Sequence, residues 1–258
     1  MDLILNTRKR KIGIQDPVEN EMAAYGLTVI RPLKGSRVLL AKNKASSALF
    51  TLKKIPEEDL IEDYKAMLEQ FQLKRHVFKR LQVPDYHGRI GTYDVFEYAE
   101  GEMVPWSEEL EEPGLGGMHI STKHIEPILD LSEELDQLGF WNGDFYWRNF
   151  VLQPHGKICV IDWDRIRRTT KGSESRICYL FCLMFENREW REKLVKHASL
   201  RGMIEKKSFR RKVIRTSSRF AEKWNHKQRV HARQMEINQL FKDEDQFKVF
   251  WKDNAQHG

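Results

Sequence analysis

Between Asn142 and Asp164 the chain packs short apolar runs against polar turns so closely that few local folds fit. Phe150-Val151-Leu152 and Ile158-Cys159-Val160-Ile161 flank Pro154-His155-Gly156, which is the pattern of a short β-hairpin. Just before it, residues 121–138 place Ile125, Ile128, Leu129, Leu135 and Leu138 at helical spacing, which predicts an amphipathic helix. The order is therefore helix, polar loop, hairpin, polar loop. The first loop carries Asp144 and, five residues on, Asn149; the second carries Asp162, thirteen residues further.

An aspartate-capped turn and a strand-terminal aspartate are each common. Their joint spacing, with a helix before and a hairpin between, matches the parts that phosphoryl transfer needs. Asp144 fits the carboxylate that orients an attacking hydroxyl and accepts its proton. The amide oxygen of Asn149 and the carboxylate of Asp162 fit Mg²⁺, a hard cation that takes few protein oxygens and leaves its other positions to phosphate and water.

The preceding half supplies an independent set of parts. Residues 28–30, 37–41 and 48–55 read as strands, with Lys34-Gly35-Ser36 as the first turn. Pro56-Glu57-Glu58-Asp59 reads as a helix start, and the helix is expected to run to about Leu81. Residues 83–87 and 93–98 resume strand character. Phosphate binding calls for a lysine on the third strand paired with a helix carboxylate. Lys53 shares the alternation of Thr51, whereas Lys54 faces the other way. Glu69, sixteen residues on, is the preferred partner, and Glu62 lies too near the strand. The strand ending in Phe96-Glu97-Tyr98-Ala99 suits a hinge whose backbone around Glu97 and Ala99 meets adenine. Residues 100–117 are rich in Glu, Pro and Gly and read as a connection. No strand precedes Gly114-x-Gly116-Gly117, so it is not a nucleotide loop. Beyond Ser173 the pattern is helical to the end.

Strands first and helices afterwards predict an α+β fold of two lobes. The expected division is an N-terminal extension over 1–27, a small β-rich nucleotide-binding lobe over 28–99, and a larger helical lobe over 100–258. Hydrophobic residues are 40% and charged residues 32%, as in a soluble globular protein. No apolar run reaches the roughly 18–20 residues that span a bilayer. Residues 1–15 are basic without an apolar core, so no secretory signal is read there. Three cysteines without a C-x-x-C pair point to a reducing cytosol, and Cys178 and Cys182 read as helix core. The net charge is +6. Residues 201–233 hold twelve Lys and Arg against Glu205 and Glu222. This basic tract, including Arg210-Arg211-Lys212, suits nucleic acid, acidic lipid, a phosphorylated substrate, or simply solvent. No zinc-finger spacing or RNA-binding aromatic motif supports nucleic acid, and His226 and His231 read as solvent-exposed.

Residues 28–168 resemble the protein-kinase-like superfamily. Val38 to Asn43 and Lys53-Lys54-Ile55 are similar to its first strands, Asn142-Gly143-Asp144 through Asn149 to its H-x-D-x-x-x-x-N loop, and Ile161-Asp162-Trp163-Asp164 to its D-F-G segment. Within it, Gly143-Asp144-x-x-x-Arg148-Asn149-Phe150 and Asp162-x-x-Arg165-x-Arg167-Arg168 resemble the bacterial lipopolysaccharide core kinases, which phosphorylate heptose or Kdo sugars. The resemblance implies ATP and Mg²⁺ as cofactors, with Asp144 catalytic and Asn149 and Asp162 on the metal. Lys34, Gly35, Ser36, Lys53, Glu69, Glu97 and Ala99 would serve the nucleotide. It implies an anionic glycolipid acceptor, peripheral contact with acidic membrane, and a cytoplasmic place at the inner face of the inner membrane. A Ser/Thr protein kinase and an aminoglycoside- or choline-type phosphotransferase are the enzymatic alternatives. A catalytically inactive kinase-like binding module is the alternative of another class. Asn142 replaces the loop histidine, Tyr146 stands where protein kinases have lysine, and Asp164 replaces the D-F-G glycine and could share the metal. The glycine loop is reduced to Gly35, and no A-P-E segment follows, which argues against a regulated protein kinase.

Overall fold

A computed structural model describes residues 17–34, 37–54, 58–103, 121–142, 145, 149–163, 166–169 and 172–255. The chain is α+β, with a small antiparallel sheet in its N-terminal part and helices in its C-terminal part. In chain order the first part holds α1 (Pro17–Ala24), β1 (Leu27–Lys34), β2 (Val38–Asn43), β3 (Leu49–Lys53), α2 (Glu58–Lys74), β4 (Leu81–Gln82), β5 (Tyr86–Ile90), β6 (Tyr93–Glu97) and β7 (Glu102–Met103). Then come α3 (Ile125–Leu138), β8 (Phe140–Asn142), β9 (Phe150–Leu152), β10 (Ile158–Val160) and β11 (Ile166–Arg168). Five helices complete the described chain: α4 (Ser173–Leu183), α5 (Arg188–Leu200), α6 (Lys206–Lys223), α7 (Gln228–Lys242) and α8 (Glu244–Ala255).

Contacts divide the chain into two compact units, residues 1–56 with 85–98, and residues 57–84 with 99–258. The first is a five-stranded sheet in the order β1-β2-β3-β6-β5. Leu39, Leu52 and Val95 stand opposite one another in the register and, with Met22, Leu27, Ala41, Ile90 and Tyr93, form its core. One step along each strand, Val38, Lys53 and Asp94 are aligned on the other face, as the period of two requires. The β2–β3 turn is an Asx turn: the Asn43 carboxamide accepts from the N–H groups of Ala45 and Ser46, both at 2.9 Å.

The second unit is built on α3. Its buried stripe includes Ile125, Ile128, Leu129, Leu131, Leu135 and Leu138. Gly139 ends it at φ 85°, donating its N–H to the carbonyls of Leu135 and Asp136. The helix expected from 56 to 81 stops at Lys74 and gives way to a 3-10 turn over Arg75–Val77. The reason lies in α3. The buried Glu134 carboxylate accepts the N–H groups of Lys79, Arg80 and Leu81 at 2.5, 3.0 and 2.6 Å, which holds that backbone in a bend rather than a further helical turn. Phe78 and Leu81 are buried as core residues, but β4 leads to a parallel pairing with β10. The hairpin expected from 150 to 161 is present as β9 and β10, with a 3-10 turn over Pro154–Gly156. Strands β7, β8 and β11 had no counterpart in the sequence reading. Two or three residues each, they are too short to show a period.

Helices α4 to α8 pack around Phe181, Phe209, Phe241, Phe247 and Trp251, all buried. Cys178 and Cys182 are buried in α4, and burial pushes both thiols up, so neither is a nucleophile near neutral pH. Among the described residues no helix is long and apolar enough to cross a membrane.

Candidate active site

The two polar loops singled out in the sequence are joined at both ends. β8 pairs with β11 antiparallel, Asn142 opposite Ile166 and Phe140 opposite Arg168. β9 pairs with β10 antiparallel, Phe150 opposite Val160. The loop 143–149 thus leaves the strand that pairs with the exit of the loop 161–165. It returns on the strand that pairs with that loop's entrance. Directly opposed residues in such ladders lie about 4.5–5.5 Å apart. Thr169 extends the first pairing by donating to the Gly139 carbonyl at 2.9 Å, and Ile161 extends the second by donating to the Asn149 carbonyl at 2.8 Å.

Asn149 and Asp162 are therefore held by one backbone ladder, one residue out of register. Asn149 is 3% exposed and Asp162 is half-buried. Asp162 sits at φ 62°, in the left-handed region that aspartate tolerates better than most residues. Strain of this kind concentrates where a side chain must be aimed. The next residue, Trp163, anchors the loop. Its indole N–H donates to the Val160 carbonyl at 2.8 Å, and its ring meets Tyr64 of α2 edge-on at 6.3 Å. Tyr64 in turn donates its hydroxyl to the Pro84 carbonyl. A carboxamide and a carboxylate on adjacent strand ends are hard oxygen donors, and they fit Mg²⁺, which needs only one or two protein ligands. Asp144 and Asp164, together with Gly35 and Ser36, lie outside the described residues.

Sequence reasoning missed the residue that fastens the first loop from behind. Arg176 of α4 is 0% exposed. It donates to the carbonyls of Ser132 and Phe140 at 2.8 and 3.0 Å and to the Asp136 carboxylate at 2.6 Å. Its guanidinium also lies 5.8 Å from the ring centre of Phe145, the neighbour of Asp144 in the chain. Phe145 is fully buried and packs edge-on against Phe150 at 4.8 Å. Arg176 thus ties α3, β8 and the loop together. Asp136 also accepts the N–H groups of Gly172 and Ser173 and the Ser173 hydroxyl. Burial raises the Asp136 pKa, but the Ser173 hydrogen bonds and the Arg176 charge outweigh it and hold the carboxyl below its ordinary value. Gly172 has no room for a side chain, since a Cβ there would lie 2.7 Å from Arg176. Its one signal in the sequence is a lone Arg inside an apolar helix, S-R-I-C-Y-L-F.

In the first unit, Lys53 is half-buried on β3 and stands opposite Asp94 in the register. Asp94 is 0% exposed and accepts two hydrogen bonds from Arg89 and one from Tyr86. Lys54 is exposed on the other face and covers the Tyr93 ring at 4.9 Å. Lys34 closes β1 opposite Val38. Glu97 uses its N–H on the Asp85 carbonyl at 2.8 Å, and Tyr98 uses its own on Leu49 at 3.1 Å, so neither N–H is available to a ligand. In the second unit Ala99 follows the strand, and Glu69 is exposed on α2 with no ion pair among the described residues. No protein-family model and no curated protein matches this chain.

Proposed function

We propose that this chain is an ATP- and Mg²⁺-dependent phosphotransferase of protein-kinase-like fold that phosphorylates a sugar hydroxyl of the lipopolysaccharide core. The observation that carries this reading is the double pairing of β8 with β11 and β9 with β10, which binds the Asp144–Asn149 loop to the Asp162 loop at both ends. Two common sequence features become one site only if the backbone joins them.

In this reading Asp144 accepts the proton of the acceptor hydroxyl as its oxygen bonds to the γ-phosphorus and the bond to the ADP oxygen breaks. Asn149 and Asp162 would hold Mg²⁺, which when bound neutralises charge on the phosphate oxygens. Lys53 serves the α- and β-phosphates, and Lys34, Gly35 and Ser36 are assigned to the same nucleotide. The Glu97 carbonyl and the Ala99 N–H serve the adenine. The glycolipid acceptor puts the enzyme in the cytoplasm at the inner face of the inner membrane. It binds there without spanning, in keeping with the absence of a membrane-crossing helix among the described residues.

The test is transfer of the labelled γ-phosphate from ATP, with Mg²⁺, to core glycolipid, free sugars or generic protein substrates. Label on the glycolipid is the expected result. Label on protein alone would make this a protein kinase, and ATP binding without label on any acceptor would make it a binding module.

A further inference from the structure

The basic tract of residues 201–233 divides into two kinds of cation once it is folded. Among the described residues, five are engaged by carboxylates or backbone carbonyls within the protein. Arg201 pairs with Glu126 and Asp130, both at 2.9 Å, and with Glu133. Arg210 donates to the carbonyls of Phe241 and Lys242 at 2.7 and 2.8 Å, where a cation at the α7 C-terminus is favoured. Lys212 pairs with Glu174, Arg229 with Glu186, and Arg233 with Glu186 and Glu236. The Arg210-Arg211-Lys212 cluster of the sequence is thus broken up, and only Arg211 is left facing outward.

The second kind forms a stripe. Lys207, Arg211, Arg215 and Arg219 recur every fourth residue along α6, and Lys223 continues the series. All five are exposed, and none has an ion pair among the described residues. Steps of four turn the stripe by about 40° each and advance it by about 6 Å, so it extends about 24 Å. It lies opposite the face that buries Phe209, Val213, Ser217, Phe220 and Ala221. Between Glu205 and Glu222 the helix carries no acidic residue. Glu205 at the α6 N-cap lies beside Lys207 and Arg211, and the excess of positive charge along this outer face is complementary to a dense field of anions.

We infer that the outer face of α6 docks on an anionic lipid bilayer. The stripe is convex and offers charge alone. Among the exposed positions of α6 stand only Lys, Arg and Glu222, with no Asn or Gln to read adenine. Phe220 is buried and packs on the half-buried Trp224 at 4.6 Å, so the aromatics of this region are not free stacking platforms for single-stranded nucleic acid. A lipid surface asks for no such features; it presents many like charges to a helix lying along it. This inference does not depend on the phosphotransferase reading.

Co-sedimentation of the full chain with vesicles tests the inference without nucleotide. Vesicles of phosphatidylcholine mixed with phosphatidylglycerol should bind the chain, vesicles of phosphatidylcholine alone should not, and added salt should release it. The triple variant Arg211→Gln, Arg215→Gln, Arg219→Gln should bind about a hundredfold more weakly, at about fivefold per cation. The triple variant Lys42→Gln, Lys196→Gln, Lys252→Gln changes net charge equally at exposed positions elsewhere and should bind nearly as well as the unaltered chain. Equal loss in both triples would mean net charge rather than a docking face. Equal binding to neutral vesicles, or binding to duplex DNA but not to anionic vesicles, would overturn the lipid assignment. Unchanged helix content by circular dichroism separates each of these results from misfolding.

Discussion

Replacing Asp144 by alanine should lower the rate of phosphoryl transfer by about 10³-fold, within the range a positioned general base contributes. The affinity for ATP should barely change, because the residues assigned to phosphate and metal, Lys53, Asn149 and Asp162, are untouched. Stability should barely change as well. The ends of the loop are held by the pairs Asn142–Ile166 and Phe150–Val160, and by Phe145 packed on Phe150. Single-turnover rates, equilibrium ATP binding and thermal unfolding, measured together, separate these effects. Retained turnover would remove Asp144 from the mechanism. Loss of ATP binding alongside turnover would move it to the nucleotide site.

Replacing Arg176 by methionine should cost about 3–5 kcal/mol, the usual penalty for breaking a buried ion pair from one side. The Asp136 carboxylate would lose its counter-charge, and the Ser132 and Phe140 carbonyls would lose their donor. Arg176→Lys should recover only part of this, since an ammonium cannot reproduce the planar fork that reaches all three acceptors. Urea unfolding measures both. A loss below about 1 kcal/mol would mean that the network is not what fastens the loop. The pH dependence follows from Asp136. Its carboxyl is held below the ordinary value in the folded chain, so it stabilises the fold fully above the ordinary carboxylate range. That contribution fades as pH falls through this range towards the depressed value. In Arg176→Met the acid-side loss should be smaller, because the shift that causes it has lost one of its sources.

The strong periodic elements were legible from residues alone. α3 declares itself by its apolar spacing, and β9 and β10 by two apolar runs about a Pro-containing turn. The position of Lys53 relative to Thr51 and Lys54 needed only the strand period. What was not legible depends on contacts between distant parts of the chain. α2 ends early because Glu134, some sixty residues later, captures the backbone at Lys79, Arg80 and Leu81. β8 and β11 exist only as each other's partners, yet that pairing is what joins the start of the first polar loop to the end of the second. Arg176 looked like a misplaced charge in an apolar helix until its acceptors were brought around it. The basic tract was legible as charge but not as structure. Which cations are spent on carboxylates and helix ends, and which are left outward, is a property of the packing.

The central claim is that Asn149 and Asp162, one residue out of register at the end of one ladder, hold the metal for a nucleotide. Calorimetric titration of ATP into the whole chain, with and without Mg²⁺, addresses it most directly. The expected result is ATP binding that depends on Mg²⁺ in the unaltered chain, that persists in Asp144→Ala, and that loses its Mg²⁺ dependence in Asp162→Ala. ATP binding that is the same with and without Mg²⁺, or that keeps its full Mg²⁺ dependence in Asp162→Ala, would contradict it.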